Sequence, residues 1–68
     1  MSGKPQTVDQ HRTLCRARCE VMLQGMLGRQ LAREWWDAPN HAFDDETPDQ
    51  VWQRDYERVY RYVVTACR

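Results

Sequence analysis

Three side chains able to hold a metal or act as nucleophiles share one spacing. His11, Cys15 and Cys19 stand four residues apart in the stretch HRTLCRARC, and on a helix that spacing lines one face. Adjacent pairs could share a zinc ion, but His11 and Cys19 would lie about 12 Å apart along the axis. No second Cys/His cluster supplies the missing ligands. Cysteine is also among the residues most often found inside proteins, so both thiols read as core-facing. Neither a metal site nor a cofactor is expected. A cysteine–histidine nucleophile needs an orienting group and an oxyanion hole as well. His41, the other histidine, sits in a turn, with no glycine-rich loop, nucleophile elbow or paired-carboxylate signature outside the acidic segment. No catalytic residue is assigned, and the chain is not expected to be an enzyme.

The same stretch carries Arg12, Arg16 and Arg18 behind Lys4, and arginine suits phosphate geometry. Lys and Arg nevertheless balance Asp and Glu ten to ten, so no overall basic field gathers nucleic acid. The arginines read equally as a solvated helix flank answering the acidic turn. Arg18 is the sharper case, because it projects into an apolar arc beside Leu14 and Met22. It either snorkels at the edge or joins a buried charge pair at an interface, with Glu34 or Asp37 as partner.

The elements that must position these groups are helical. Thr7 and Gln10 fit a capping box, and a first helix follows from Val8 toward Leu27. Its apolar set, Leu14, Cys15, Ala17, Val21, Met22, Met26 and Leu27, spans an arc wider than one packed face requires, leaving a polar strip of Thr13, Arg16, Glu20 and Gln24. Such a helix is expected to meet two neighbours. Gly28 marks a break or kink, and a second helix from Arg29 to Trp36 ends before Pro39, since the residue preceding a proline is pushed out of the helical region. Thr47, Pro48 and Gln50 make a second capping box with proline at the first helical position. The acids Asp44, Asp45, Glu46 and Asp49 stand at the positive end of that last helix. Val51, Trp52, Tyr56, Val59, Tyr60, Val63 and Cys67 continue it at helical spacing, with Glu57 and Arg61 placed to pair on its outside.

Two of the three tryptophans precede the sharpest turn. Trp36, Phe43 and Trp52 can bury enough surface to hold the second and last helices together, at about 1.5–3 kcal/mol for each large side chain. Trp35 and Trp36 cannot both point into one small core, which leaves Trp35 to face a partner. Tyr62 falls off the Tyr56–Tyr60 stripe and lies beside arginines, a combination enriched at protein interfaces.

With 68 residues the chain makes one small domain that buries about 60% of its unfolded surface. Added stability is expected from a second copy or a partner. Three cysteines are an odd number and read as reduced thiols rather than a disulfide framework. No stretch approaches a membrane span, and the polar start MSGKPQTVDQ lacks a signal-peptide core, so the expected location is the cytoplasm. Residues 1–6 read as a loose tail and 7–68 as a single helical domain.

Residues 28–64 resemble the C-terminal toxin-binding domain of the Xre/MbcA/ParS-type antitoxins. AREWW, PN, AF and TP stand in that family's order and spacing through Ala32, Trp35, Trp36, Pro39, Asn40, Phe43, Thr47 and Pro48. The paired glycines usual before the Thr-Pro are here Asp44 and Asp45, the leucines opening the last helix are Val51 and Trp52, and the family's glycine-containing turn in that helix is missing. The resemblance implies a small helical domain that dimerises and binds a RES-domain toxin, an NAD-consuming enzyme, whose active site the C-terminal part of the antitoxin obstructs. It places Tyr62, Thr65 and Arg68 nearest that partner. Family members usually carry a DNA-binding helix-turn-helix domain first, and these 68 residues leave no room for one.

The sequence therefore predicts an all-α bundle of three helices, or four, homodimeric and non-catalytic. It predicts a protein-binding module that neutralises a RES-type toxin or descends from that role. Partner contacts fall to Trp35, Arg18, Tyr62, Thr65 and Arg68, and Pro39, Asn40, Phe43, Thr47 and Pro48 shape the structural turn. A small phage-type inhibitor of a host or defence protein is the alternative, and a nucleic-acid-associated accessory protein a second one.

Overall fold

Both capping boxes form, and they set where helices begin. A computed structural model describes residues 7–67; the expected tail, residues 1–6, and Arg68 lie outside the described residues. Gln10 donates its backbone N–H to Thr7 Oγ1 at 3.1 Å while its side chain accepts from the Thr7 N–H at 2.9 Å. Helix α1 then runs Val8–Leu27. Thr47 and Gln50 repeat the exchange at 3.0 and 3.1 Å, with Pro48 opening helix α3, Pro48–Ala66. Between them α2 occupies Arg29–Trp35, with Trp36 as its cap. Gly28 makes the α1–α2 break at φ 86°, a backbone conformation that glycine adopts without a side-chain clash. The fold is all-α; among the described residues there are three α-helices, one 3₁₀ turn at His41–Phe43 and no strand.

α1 packs on both other helices along a narrow stripe. Cys15, Cys19 and Leu23, four residues apart, are 1% exposed or less. This corrects the broad apolar set read from the sequence, which omitted Leu23. Leu14, Val21, Met26 and Leu27 of that set are exposed, Val21 at 71%. α2 and α3 are the two neighbours expected of this helix, and the outer part of the arc stays bare.

α3 is not a straight continuation of its own periodicity. Asp55 leaves the helical region (φ −157°, ψ 73°), so the helix kinks there, a place where aspartate's weak helix preference costs little. Both halves contribute to the core. Val51 and Trp52 are buried before the kink, Val59 and Val63 after it. Past the kink the helix runs parallel to α1, because His11 meets Tyr56 and Met22 meets Cys67 with the same 45-residue offset. The expected Glu57–Arg61 pair is not among the ion pairs within 4 Å in the described residues.

The turn between α2 and α3 is closed by its own backbone. Asn40 N–H donates to the Glu46 carbonyl at 3.0 Å, and the Phe43 and Asp45 N–H groups donate back to the Asn40 carbonyl at 2.9 and 3.1 Å. Asn40 Oδ1 accepts from the Ala42 N–H at 2.9 Å. Asp44 and Asp45 take left-handed conformations at φ 57° and 67°, which aspartate tolerates better than most residues. The Asp49 N–H then donates to the Trp36 carbonyl at 3.1 Å, tying the start of α3 to the end of α2. No helix among the described residues is long and apolar enough to cross a membrane.

Candidate functional site

Adjacent tryptophans at the end of α2 take opposite assignments. Ala32 and Trp36 lie four residues apart on its inner face and are 3% and 5% exposed. Trp36 meets Trp52 edge to face, with centroids 5.4 Å apart and planes at 90°, an arrangement that aromatic quadrupoles favour. Trp35, one residue earlier, is rotated off that face and half-buried. Its ring stacks on Tyr62 at 6.4 Å and 15°. Tyr62 in turn contacts Phe43 edge to face at 5.1 Å, and Phe43 is 1% exposed. The Arg58 guanidinium sits 5.5 Å over the Phe43 ring. The turn thus presses Phe43 inward, and Phe43 props the Trp35–Tyr62 pair at the surface.

Apolar residues continue that pair outward. Leu27, Leu31 and Ala38 form with Trp35 and Glu34 a shallow depression of about 260 Å³, and Leu31 is 56% exposed. Rigidly held tryptophan and tyrosine rings at a surface are what protein interfaces use as anchors. Tyr62 is 38% exposed, and Thr65, one turn further along α3, is exposed as well. The structure therefore brings Trp35, Tyr62 and Thr65 to one side of the molecule. Arg68 falls outside the described residues.

Arg18 does not belong to that group. Within the chain it makes no ion pair among the described residues with Glu34, Asp37 or any other acid. It lines a different groove, between α1 and α3, whereas Glu34 edges the Trp35 depression and Asp37 a polar cleft. Arg18 lies on the outer side of α1, at the edge of the apolar arc and away from α2.

The arginine that does find rings and acids is Arg16, read from the sequence as part of a polar strip. Its guanidinium lies 3.6 Å from the Trp36 ring centroid and 5.3 Å from that of Trp52. Its Nη1 donates to Asp49 Oδ1 at 3.2 Å, and Nε, buried without a hydrogen bond, stands 3.6 Å from Glu20. The signal lay in the spacing, since Arg16 sits at the edge of the Cys15–Cys19–Leu23 stripe. It opens a cleft of about 300 Å³ shared with Glu20, Gln24, Arg29, Arg33, Asp37 and Asp49. Three cations and three anions face that cleft, so it selects neither sign of ligand. Arg12, which shares that stretch with Arg16 and Arg18, donates to Gln53 Oε1 at 2.9 Å.

Both α1 thiols face the core as expected. Cys15 lies 3.7 Å from His11 Nε2, and His11 Nδ1 is 2.7 Å from the Tyr56 hydroxyl. Burial pushes the Cys15 thiol up. The Cys19 thiol is pushed up to about 12, first by burial and then by Cys15 beside it. Thiols in that state are poor nucleophiles, because the thiolate is the reactive form. Cys67 is half-buried, and its Sγ donates to the Met22 carbonyl at 3.7 Å. No group of His, Cys, Asp and Glu side chains able to hold a metal ion occurs among the described residues.

No protein family, curated protein or solved structure matches the chain.

Proposed function

We propose that this chain is a non-catalytic protein-binding module. In this reading it neutralises a RES-type, NAD-consuming toxin, or descends from that role, and acts as a homodimer by obstructing the partner's active site. The observation that carries the reading is the Trp35–Tyr62 stack held at the surface beside exposed Leu31 and Leu27. Apolar side chains left in water beside ordered rings mark an interaction surface.

Two features support the resemblance to the antitoxin domain. Asp44 and Asp45 both take positive φ, the conformation that glycine adopts most easily, at the positions where that family has paired glycines. The kink at Asp55 interrupts the last helix, which in that family contains a glycine turn.

The test is retention of a partner from the source cell on the tagged chain, followed by an NAD-consumption assay of the retained protein. An NAD-consuming enzyme held by the wild type and lost with Trp35→Ala is the expected result. A specifically retained partner with no such activity sinks the toxin reading and leaves a different protein target.

A further inference from the structure

An acid stands in the middle of the buried stripe of α3. Val51 and Trp52 lie four and three residues before Asp55, Val59 and Val63 four and eight after it, and all four are buried. On an unbroken helix of about 3.6 residues per turn, Asp55 would point into the same arc as these side chains. It is exposed instead. It is also the residue at which α3 bends, with φ −157° and ψ 73° against about −63° and −42° in a regular helix. Sharp kinks usually sit at proline or glycine, but α3 has no glycine and its only proline, Pro48, opens it.

A carboxylate turned inward would find no partner. Among the described residues no polar or charged residue is buried, and an unpaired charge is very costly in such surroundings. Bending the backbone at this one residue lets the apolar stripe continue while its acid stays in water. The bend also decides where Tyr62 falls. The first part of α3 is fixed against α2, since Trp52 meets the Trp36 ring at 5.4 Å and the Asp49 N–H donates to the Trp36 carbonyl. Everything after Asp55 swings with its two dihedral angles. Tyr62, about two turns further on, stacks on Trp35 at 6.4 Å and 15° and meets Phe43 at 5.1 Å. A straight α3 with its first part held in place would carry Tyr62 off both rings.

We infer that Asp55 is a positioning residue for the Trp35–Tyr62 face: keeping its carboxylate out of the core bends α3, and the bend lays Tyr62 on Trp35. The inference rests on the reading of that face as the docking surface and deepens it, because the shape of the face then depends on an acid that belongs to neither ring.

Nuclear magnetic resonance of the full chain tests it, together with urea unfolding and the inhibition of NAD consumption by a purified RES-domain enzyme. Leucine is readily buried, so Asp55→Leu is expected to straighten α3. Position 55 then shows helical couplings and amide contacts, the Overhauser contacts between the Trp35 and Tyr62 rings vanish, and the urea midpoint rises. Inhibition should then need about tenfold more chain, the effect of losing an anchor ring. Weaker inhibition in a more stable chain is a pairing that simple damage to the fold does not produce. Asp55→Ala, which adds no bulk to the core, is expected to behave likewise. Asp55→Asn stays polar and is expected to keep the bend, the ring contacts and the inhibition. Folded Asp55→Leu and Asp55→Ala chains that keep the bend and the ring contacts overturn the inference, and so does an Asp55→Asn chain that straightens. A wild type that leaves the enzyme uninhibited, with the rings parted by Asp55→Leu as expected, contradicts the proposed function and leaves the role of Asp55 standing.

Discussion

Two interfaces hold this chain together, and they are built from opposite materials. Between α2, the turn and the face of α3 that meets them the material is rings: Trp36 against Trp52 at 5.4 Å and Phe43 beneath Tyr62, with the Arg16 guanidinium of α1 3.6 Å from the centre of the Trp36 ring. Between α1 and the second half of α3 it is small side chains, where Cys15, Cys19, Val59 and Val63 are 1% exposed or less. Rings fill volume with few residues but overrun the space available, so Trp35 and Tyr62 are carried to the rim. Small side chains let two helices come close and seal a thin stripe, but that stripe occupies only part of α1. Each material therefore leaves its own apolar remainder at the surface, which is how one 68-residue chain presents two separate apolar faces.

The comparison breaks most visibly at Trp36. Trp36→Ala is expected to cost about 3–5 kcal/mol, a large fraction of what so small a domain can have, whereas half-buried Trp35→Ala should cost clearly less. Urea unfolding followed by circular dichroism measures both, and equal losses would show that the two indoles share one burden. A second substitution probes the thin interface. Cys19→Ser places a hydroxyl where a thiol is fully buried, so it should be less stable than Cys19→Ala by about 1–3 kcal/mol. Equal midpoints for the two variants would mean that the stripe is wet.

The smallest effect sharpens the ring side. Arg54 donates to both Glu46 carboxylate oxygens at 2.6 Å and holds that carboxyl below its ordinary value by this hydrogen bonding. A carboxyl with a depressed folded-state pKa stabilises the fold above its unfolded value, about 4.3, and that contribution fades as the pH falls through the folded value. Glu46→Gln should therefore unfold slightly more easily than wild type at pH 7. The difference should narrow as the pH falls below the unfolded value of about 4.3. A difference that persists in acid would assign the effect to packing instead of charge.

Much of the ring interface was legible in the sequence. Thr47, Pro48 and Gln50 announced the start of α3 through local chemistry, and Trp36, Phe43 and Trp52 announced themselves by size and by their position around one turn. The thin interface was harder to read. Leu23 was passed over because apolar residues surround α1, so no single stripe stands out without knowing which neighbour is close. The kink at Asp55 is silent, since Val51, Trp52, Tyr56, Val59 and Val63 keep a helical rhythm straight through it. Arg16 answers the acidic segment through Asp49, as the sequence allows, but its contact with the Trp36 ring is silent there, because a guanidinium counts as polar in any pattern. Arg18 lies in the apolar arc that its spacing indicates, while Glu34 and Asp37, weighed as its partners at an interface, line other surfaces of the same chain, a matter of tertiary geometry that spacing along one helix does not contain.

The proposed role is tested most directly by following NAD consumption by a purified RES-domain enzyme from the source cell while this chain is added. Consumption should stop near equivalence with the wild type and continue with Trp35→Ala. Undiminished consumption at saturating wild-type chain would contradict the role assigned to the Trp35–Tyr62 face.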